Sequence, residues 1–110
     1  MFGLFKSRKG PTMTCAEAYE KARRGEIHLV DVREPGEWRR MHVAGAIHAP
    51  LSTLQRDAGS LPADKPLALI CLSGRRSAGA VGICEAAGRS ACNVEGGLVA
   101  WRSAGLPLEI

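Results

Sequence analysis

Short aliphatic runs alternate with helix-patterned segments along almost the whole chain, and no other feature limits the fold so tightly. The runs are residues 27–32 (Ile-His-Leu-Val-Asp-Val), 46–49, 67–71 and 92–95. They are short, mostly apolar and set off by nearby Gly or Pro, as strands covered on both faces are. Between them lie helix signals. Thr14 and Glu17 have the spacing of a capping box, opening a helix to about Arg24 that Gly25 stops. Pro35 starts a short helix through Arg40. Residues 52–58 read as a weak helix, and 98–103 as a last one ended by Gly105 and Pro107. Ser77 reads as the cap of a small-residue helix over 78–88. Gly79 and Gly82 in that helix each cost ~1 kcal/mol relative to Ala. A close approach of their shared face to the sheet is the expected compensation. The alternation predicts an α/β domain with a central parallel sheet and helices on both faces. Ligands of such sheets bind beyond the carboxyl ends of the strands.

Length and charge narrow the function. A chain of 110 residues makes one domain and buries roughly 60–70% of its unfolded surface. Apolar residues at 45% and charged residues at 24% exclude a disordered chain. The net charge of +4 is concentrated at the start, where Lys6, Arg8 and Lys9 stand; the rest carries twelve basic and eleven acidic residues. Residues 1–12 are therefore expected to be a flexible basic tail and 13–110 the domain, with no nucleic-acid partner. No apolar run is long enough to span a membrane, and the opening residues are too short for a signal peptide. No membrane partner and a cytoplasmic location are the expectation.

Cys71 stands where ligands of such a sheet should bind. It ends the run 67–71 and begins the turn Leu72-Ser73-Gly74-Arg75-Arg76-Ser77. A strand end, a tight loop and a helix start surround a sulfur with backbone N–H groups. The helix dipole and the two guanidinium groups add positive potential. Such settings lower a cysteine pKa from about 8.5 into the range of roughly 3.5–7.5 and produce a nucleophilic thiolate. Strand context alone would make Cys71 a packed core residue. The glycine turn and adjacent arginines favour the reactive reading, since a structural thiol gains nothing from them. Cys15, Cys84 and Cys92 read as packed thiols. None forms a C-x-x-C pair, and no histidine cluster has zinc spacing. Cys84 is a lesser candidate for resolving a sulfur species on Cys71, because it lies well inside the helix.

Three segments occur together. The first is Leu29-Val30-Asp31-Val32-Arg33-Glu34, followed by Glu37-Trp38 and then His42-Val43-Ala44-Gly45-Ala46-Ile47-His48-Ala49-Pro50. The second runs from Cys71 to Ser77. The third is Val94-Glu95-Gly96-Gly97-Leu98-Val99-Ala100-Trp101-Arg102-Ser103-Ala104-Gly105-Leu106-Pro107. Their order and content resemble the rhodanese homology domain, a sulfurtransferase family, over residues 13–108. The resemblance implies a persulfide-forming Cys71 cradled by the loop through Arg76. It implies thiosulfate or another sulfane-sulfur donor, and cyanide or a thiol, including a protein thiol, as acceptor. It also makes Asp31 and Arg33 a structural ion pair and hydrogen-bond hub at a strand end. Met41 stands where the family usually has glycine.

The expected chemistry is covalent and ping-pong. The Cys71 thiolate attacks the outer sulfur of an anionic donor, sulfite or a thiolate leaves, and the acceptor removes the terminal sulfur. Loop N–H groups hold the negative sulfur. Leu72, Ser73, Gly74, Arg75, Arg76 and Ser77 form the binding loop, and the arginines orient a doubly charged donor. The sequence leaves open which arginine faces the sulfur. No metal or organic cofactor is implied. His28, His42 and His48 read as structural, and Trp38 and Trp101 as core or helix-to-sheet packing. A cysteine phosphatase or arsenate reductase is disfavoured, since those loops place five residues between Cys and Arg and this one has four before Arg76. A persulfide carrier would differ from a free-standing sulfurtransferase only in its acceptor. A non-catalytic binding module would have no need of Cys71 with two cationic neighbours.

Overall fold

The structure is a computed structural model and describes residues 6–7 and 10–110. Its strands are β1 (Lys6–Ser7), β2 (Gly10–Met13), β3 (His28–Asp31), β4 (Ile47–His48), β5 (Leu67–Ile70) and β6 (Ala91–Val94). They form one sheet in the order β1-β2-β6-β5-β3-β4. Five strands run parallel, and β1 adds an antiparallel pair to β2. The helices are α1 (Cys15–Arg23), α2 (Pro35–Arg40), α3 (Leu54–Asp57), α4 (Arg75–Ala86) and α5 (Gly97–Ser103).

Side-chain alternation along the strands divides the core into two layers. On β5, Leu67 and Leu69 join Val30, Leu54, Val81 and Cys84 beneath α3 and α4. Ala68 and Ile70 join Leu29, Val94, Leu98 and Trp101 beneath α1 and α5. The buried Trp101 donates its indole N–H to the Pro107 carbonyl at 2.9 Å and meets Tyr19 edge-on at 5.9 Å.

Several expected elements differ in detail. The expected tail boundary at residue 12 falls inside β2, whose Thr12 and Met13 pair with Asn93 and Val94 of β6. Residues 1–5, 8 and 9 lie outside the described residues. The segment expected as one weak helix over 52–58 is α3 flanked by 3₁₀ turns at Leu51–Thr53 and Ala58–Ser60. Gly79 and Gly82 are exposed, and apart from their own stretch of helix backbone no heavy atom comes within 4 Å of where a Cβ would stand. The expected close approach to the sheet is absent. Trp38, by contrast, does pack helix to sheet as expected: half-buried on α2, it stacks on His48 of β4 at 4.6 Å and on His42 at 3.8 Å.

Candidate active site

Cys71 follows directly on β5, at the carboxyl end of the central strands, and has no exposed surface. The loop after it turns through Gly74, whose φ of +96° suits glycine, and Gly74 is also the residue that opens α4. The helix therefore begins at Arg75, earlier than the sequence placed it. Ser77 is not the cap: it sits within the first turn, fully buried, with its hydroxyl beside the sulfur. The side-chain cap signal misled because a left-handed glycine opens this helix instead.

The sulfur is ringed by donors. The Gly74 N–H donates to Sγ at 3.1 Å, the Ser77 N–H at 3.3 Å and the Ser77 hydroxyl at 3.3 Å. Burial pushes the Cys71 thiol up. Hydrogen bonds from the Ser77 hydroxyl and from the N–H groups of Ser77, Gly74 and Ser73 outweigh it, so the pKa lies below its ordinary value. Cys15 and Cys84 are pushed up by burial, and Cys92 to about 11 by burial with a smaller effect of Glu17.

A second glycine turn fixes the loop from behind. The Leu98 N–H donates to the Cys71 carbonyl at 2.8 Å, and the Val99 N–H to the Leu72 carbonyl at 3.0 Å. These are first-turn amides of α5, which lack partners inside their own helix. The approach is possible because Gly97 carries no side chain: a Cβ there would lie 2.6 Å from the Leu72 oxygen and crowd the Cys71 oxygen too.

The two arginines differ. Arg76 is half-buried and closes a two-point pair with Glu37 of α2, at 2.7 and 2.8 Å. Arg76 holds the Glu37 carboxyl down at about 2. Glu37 in turn raises Arg76, with a smaller upward contribution from the Cys71 sulfur. Arg75 is exposed. Neither guanidinium hydrogen-bonds the sulfur among the described residues. Leu72 and Ser73 are also exposed, so the loop's outer rim is Leu72, Ser73 and Arg75.

Asp31 and Arg33 lie one strand away and form a buried pair through bonds of 2.8 to 3.1 Å. Arg33 also donates to the carbonyls of Glu37 and Met41, at 3.4 and 2.6 Å. The pair thus ties the end of β3 to α2, which carries Glu37 to Arg76. Met41 is extended, a conformation open to any residue, accepts from Arg33 through its carbonyl and packs its side chain against the layer that holds Trp101, so no glycine is required there. The histidines bond to Asp64 (His28), to Trp38 O and Glu109 (His42) and to Arg33 O (His48). A cavity of about 370 Å³ lined by Tyr19, His28, Val43, Lys65 and Trp101 involves no residue of the Cys71 loop.

Two residues escaped the sequence reading. Glu37 had no local signal for a partner so far along the chain. Asn93 did have one: it is the polar member of an otherwise apolar strand, and it is buried against the Ser77 hydroxyl.

Known proteins carry the same organisation. The Rhodanese-like domain family matches residues 14–104. The probable adenylyltransferase/sulfurtransferase MoeZ of Mycobacterium tuberculosis is 38% identical over 87% of this chain, which spans 26% of that protein. The putative sulfurtransferase YtwF of Bacillus subtilis is 34% identical over 69% of this chain and 74% of its own length. The crystal structure of a rhodanese-related protein from Thermoplasma volcanium superposes with a TM-score of 0.82 at 35% identity, covering 89% of this chain and 96% of that one. Family profile, relatives and backbone geometry agree: the chain belongs to the rhodanese-like domain family.

Proposed function

We propose that this domain is a sulfurtransferase that carries sulfane sulfur on Cys71. The observation that supports it most directly is the ring of donors around that sulfur. Two backbone N–H groups and a hydroxyl favour the thiolate over the thiol, which is what nucleophilic attack needs. The two N–H groups cost no reorganisation when the sulfur becomes negative, because the glycine turn and helix start already hold them in place.

In the first half-reaction the Cys71 thiolate attacks the outer sulfur of thiosulfate or a persulfide. A new S–S bond forms, and the donor's own S–S bond breaks with its electron pair leaving on sulfite or a thiolate. In the second, cyanide or a thiolate attacks the terminal sulfur, and the electron pair returns to Sγ. The transferable sulfur stands about 2 Å beyond Sγ, closer to the rim of Leu72, Ser73 and Arg75. Full burial of Sγ favours compact partners in the first half-reaction. Arg75 attracts an anionic donor, while Arg76 is committed to Glu37 and steadies the loop.

Phosphate-ester chemistry fits less well. Four residues separate Cys71 from Arg76, and that guanidinium is engaged with Glu37. The test is turnover from thiosulfate to cyanide beside aryl phosphate hydrolysis on the same preparation. Thiocyanate formation that is lost in Cys71→Ser, with phosphate release at background, is expected. Phosphate release that depends on Cys71, without thiocyanate formation, would overturn the reading.

A further inference from the structure

The Ser77 hydroxyl has one proton and two neighbours able to accept it. One is the Cys71 sulfur, 3.3 Å away. The other is Oδ1 of Asn93. All three residues are buried. Strand alternation brings Asn93 there: it lies two residues beyond Ala91 on β6, and Ala91 packs in the layer that holds Cys71 and Ala80. A buried hydroxyl whose proton finds no acceptor destabilises the fold, because its desolvation is not offset by a hydrogen bond.

During sulfur transfer the demand of Sγ for that proton changes. As a thiolate it is a strong, charged acceptor. As a thiol, or as the inner sulfur of a persulfide, it is neutral and accepts weakly. A hydroxyl with only the sulfur for a partner would be left unsatisfied in half of the cycle.

We propose that Asn93 is a positioning residue whose Oδ1 takes the Ser77 hydroxyl proton whenever Cys71 Sγ is neutral and yields it to Sγ when the sulfur is a thiolate. Only a rotation about the Ser77 Cβ–Oγ bond is involved. The O–H bond stays intact, and the thiol proton leaves to solvent on ionisation. The place of this exchange in a reaction cycle rests on the sulfurtransferase reading; the exchange itself does not. Of the charged groups around the loop, Arg76 interacts with the sulfur, and Glu37, Asp31 and Arg33 are held by their own partners. Arg76 of α4 is held by Glu37 of α2, with Glu34 behind it, and Asp31 and Arg33 close on each other at the end of β3. The α5 helix presents backbone to the loop, through the Leu98 and Val99 N–H groups.

By giving the proton a second acceptor, Asn93 stabilises neutral sulfur relative to thiolate. Removing that acceptor should therefore push the thiol toward ionisation. Asn93→Leu deletes the acceptor at nearly constant volume. The readout is ultraviolet thiolate absorbance against pH on the whole chain, referenced to the same variant carrying Cys71→Ser. The apparent Cys71 pKa is expected to fall by about half a unit or more, and to be unaffected by Asn93→Leu once Ser77→Ala is present. An unchanged or raised pKa, or an equal fall without the Ser77 hydroxyl, would overturn the proposal. If Asn93→Leu does not fold, Asn93→Ala is read by the same criteria. Because the readout is a titration, the predicted shift in a protein that forms no persulfide would reject sulfur transfer and retain the exchange.

Discussion

Cys71 and Cys84 lie in the same core layer, both without exposed surface, and their thiols are pushed in opposite directions. Burial acts alike on both, raising the pKa by penalising charge. The difference is what else reaches the sulfur. Cys84 is in the last turn of α4, where neighbouring N–H groups are spent on helix bonds, and Glu85 beside it adds a further upward push. Cys71 lies at the junction of a strand, a left-handed glycine and a helix start, where N–H groups are free to turn inward. The direction in which a buried thiol is pushed in this domain is therefore a property of the backbone path. Depth in the core does not distinguish the two thiols.

The largest effect should come from the path itself. Gly97→Ala places a methyl against the Cys71 and Leu72 carbonyls at a φ of +55°. The loop must move, costing about 1–3 kcal/mol. Sulfur transfer should fall at least about tenfold, since small misplacements of a nucleophile are costly. The exposed helix glycines are the contrast: Gly79→Ala and Gly82→Ala should each raise stability by about 0.5–1 kcal/mol and leave transfer intact. Thermal unfolding beside initial rates separates the two classes.

Ser77→Ala removes one of the ring's donors. A hydrogen bond to a charged group is worth about 1.5–3 kcal/mol, and one pKa unit about 1.4 kcal/mol. The apparent Cys71 pKa should rise by about one unit, so the thiolate fraction near neutrality falls and Cys71 moves toward Cys84. Thiolate absorbance against pH reads this directly.

The Glu37–Arg76 pair steadies the loop from α2. Both side chains are about a third exposed, at 31% and 36%, so solvent screens the pair and Glu37→Gln should cost less than about 1 kcal/mol near neutrality. Glu37 is depressed to about 2 from an ordinary 4.5. The stabilisation is therefore complete above pH 4.5 and lost as pH falls toward 2. Denaturation curves of variant and parent should differ near neutrality and converge at the acid end of that window.

Arg75→Ala should have the smallest effect. If, as proposed, its exposed charge attracts the donor without bonding the sulfur, the KM for thiosulfate should rise about two- to threefold at low salt and less at high salt. The Cys71 pKa should not move. A large pKa rise in this variant would mean that distant charge, and not the donor ring, distinguishes Cys71 from Cys84.

The strand-and-helix alternation and the loop's position were legible because they are written locally. The Thr14–Glu17 capping box forms as its spacing implies, and α2 spans the residues that Pro35 suggested. The misreadings have a common cause. The start of α4 is set by the left-handed conformation of Gly74, which a sequence shows only as a glycine. The Glu37–Arg76 pair and the Asn93–Ser77 contact depend on how separate elements meet in three dimensions. Gly79 and Gly82 were expected to touch the sheet, but the helix turns that face to solvent. Periodicity was too weak in a helix built largely of small residues and glycine to fix its orientation.

The most direct test of the contrast between the cysteines is to map sulfur along the chain. The protein is treated with thiosulfate, its thiols and persulfides are trapped, and each of the four cysteine peptides is weighed. The expected result is one added sulfur on the Cys71 peptide, removed by cyanide, with Cys15, Cys84 and Cys92 unchanged. Persulfide on Cys84 or Cys92 at a level equal to Cys71, or its persistence on the chain in Cys71→Ser, would contradict the claim that the donor ring makes one sulfur reactive.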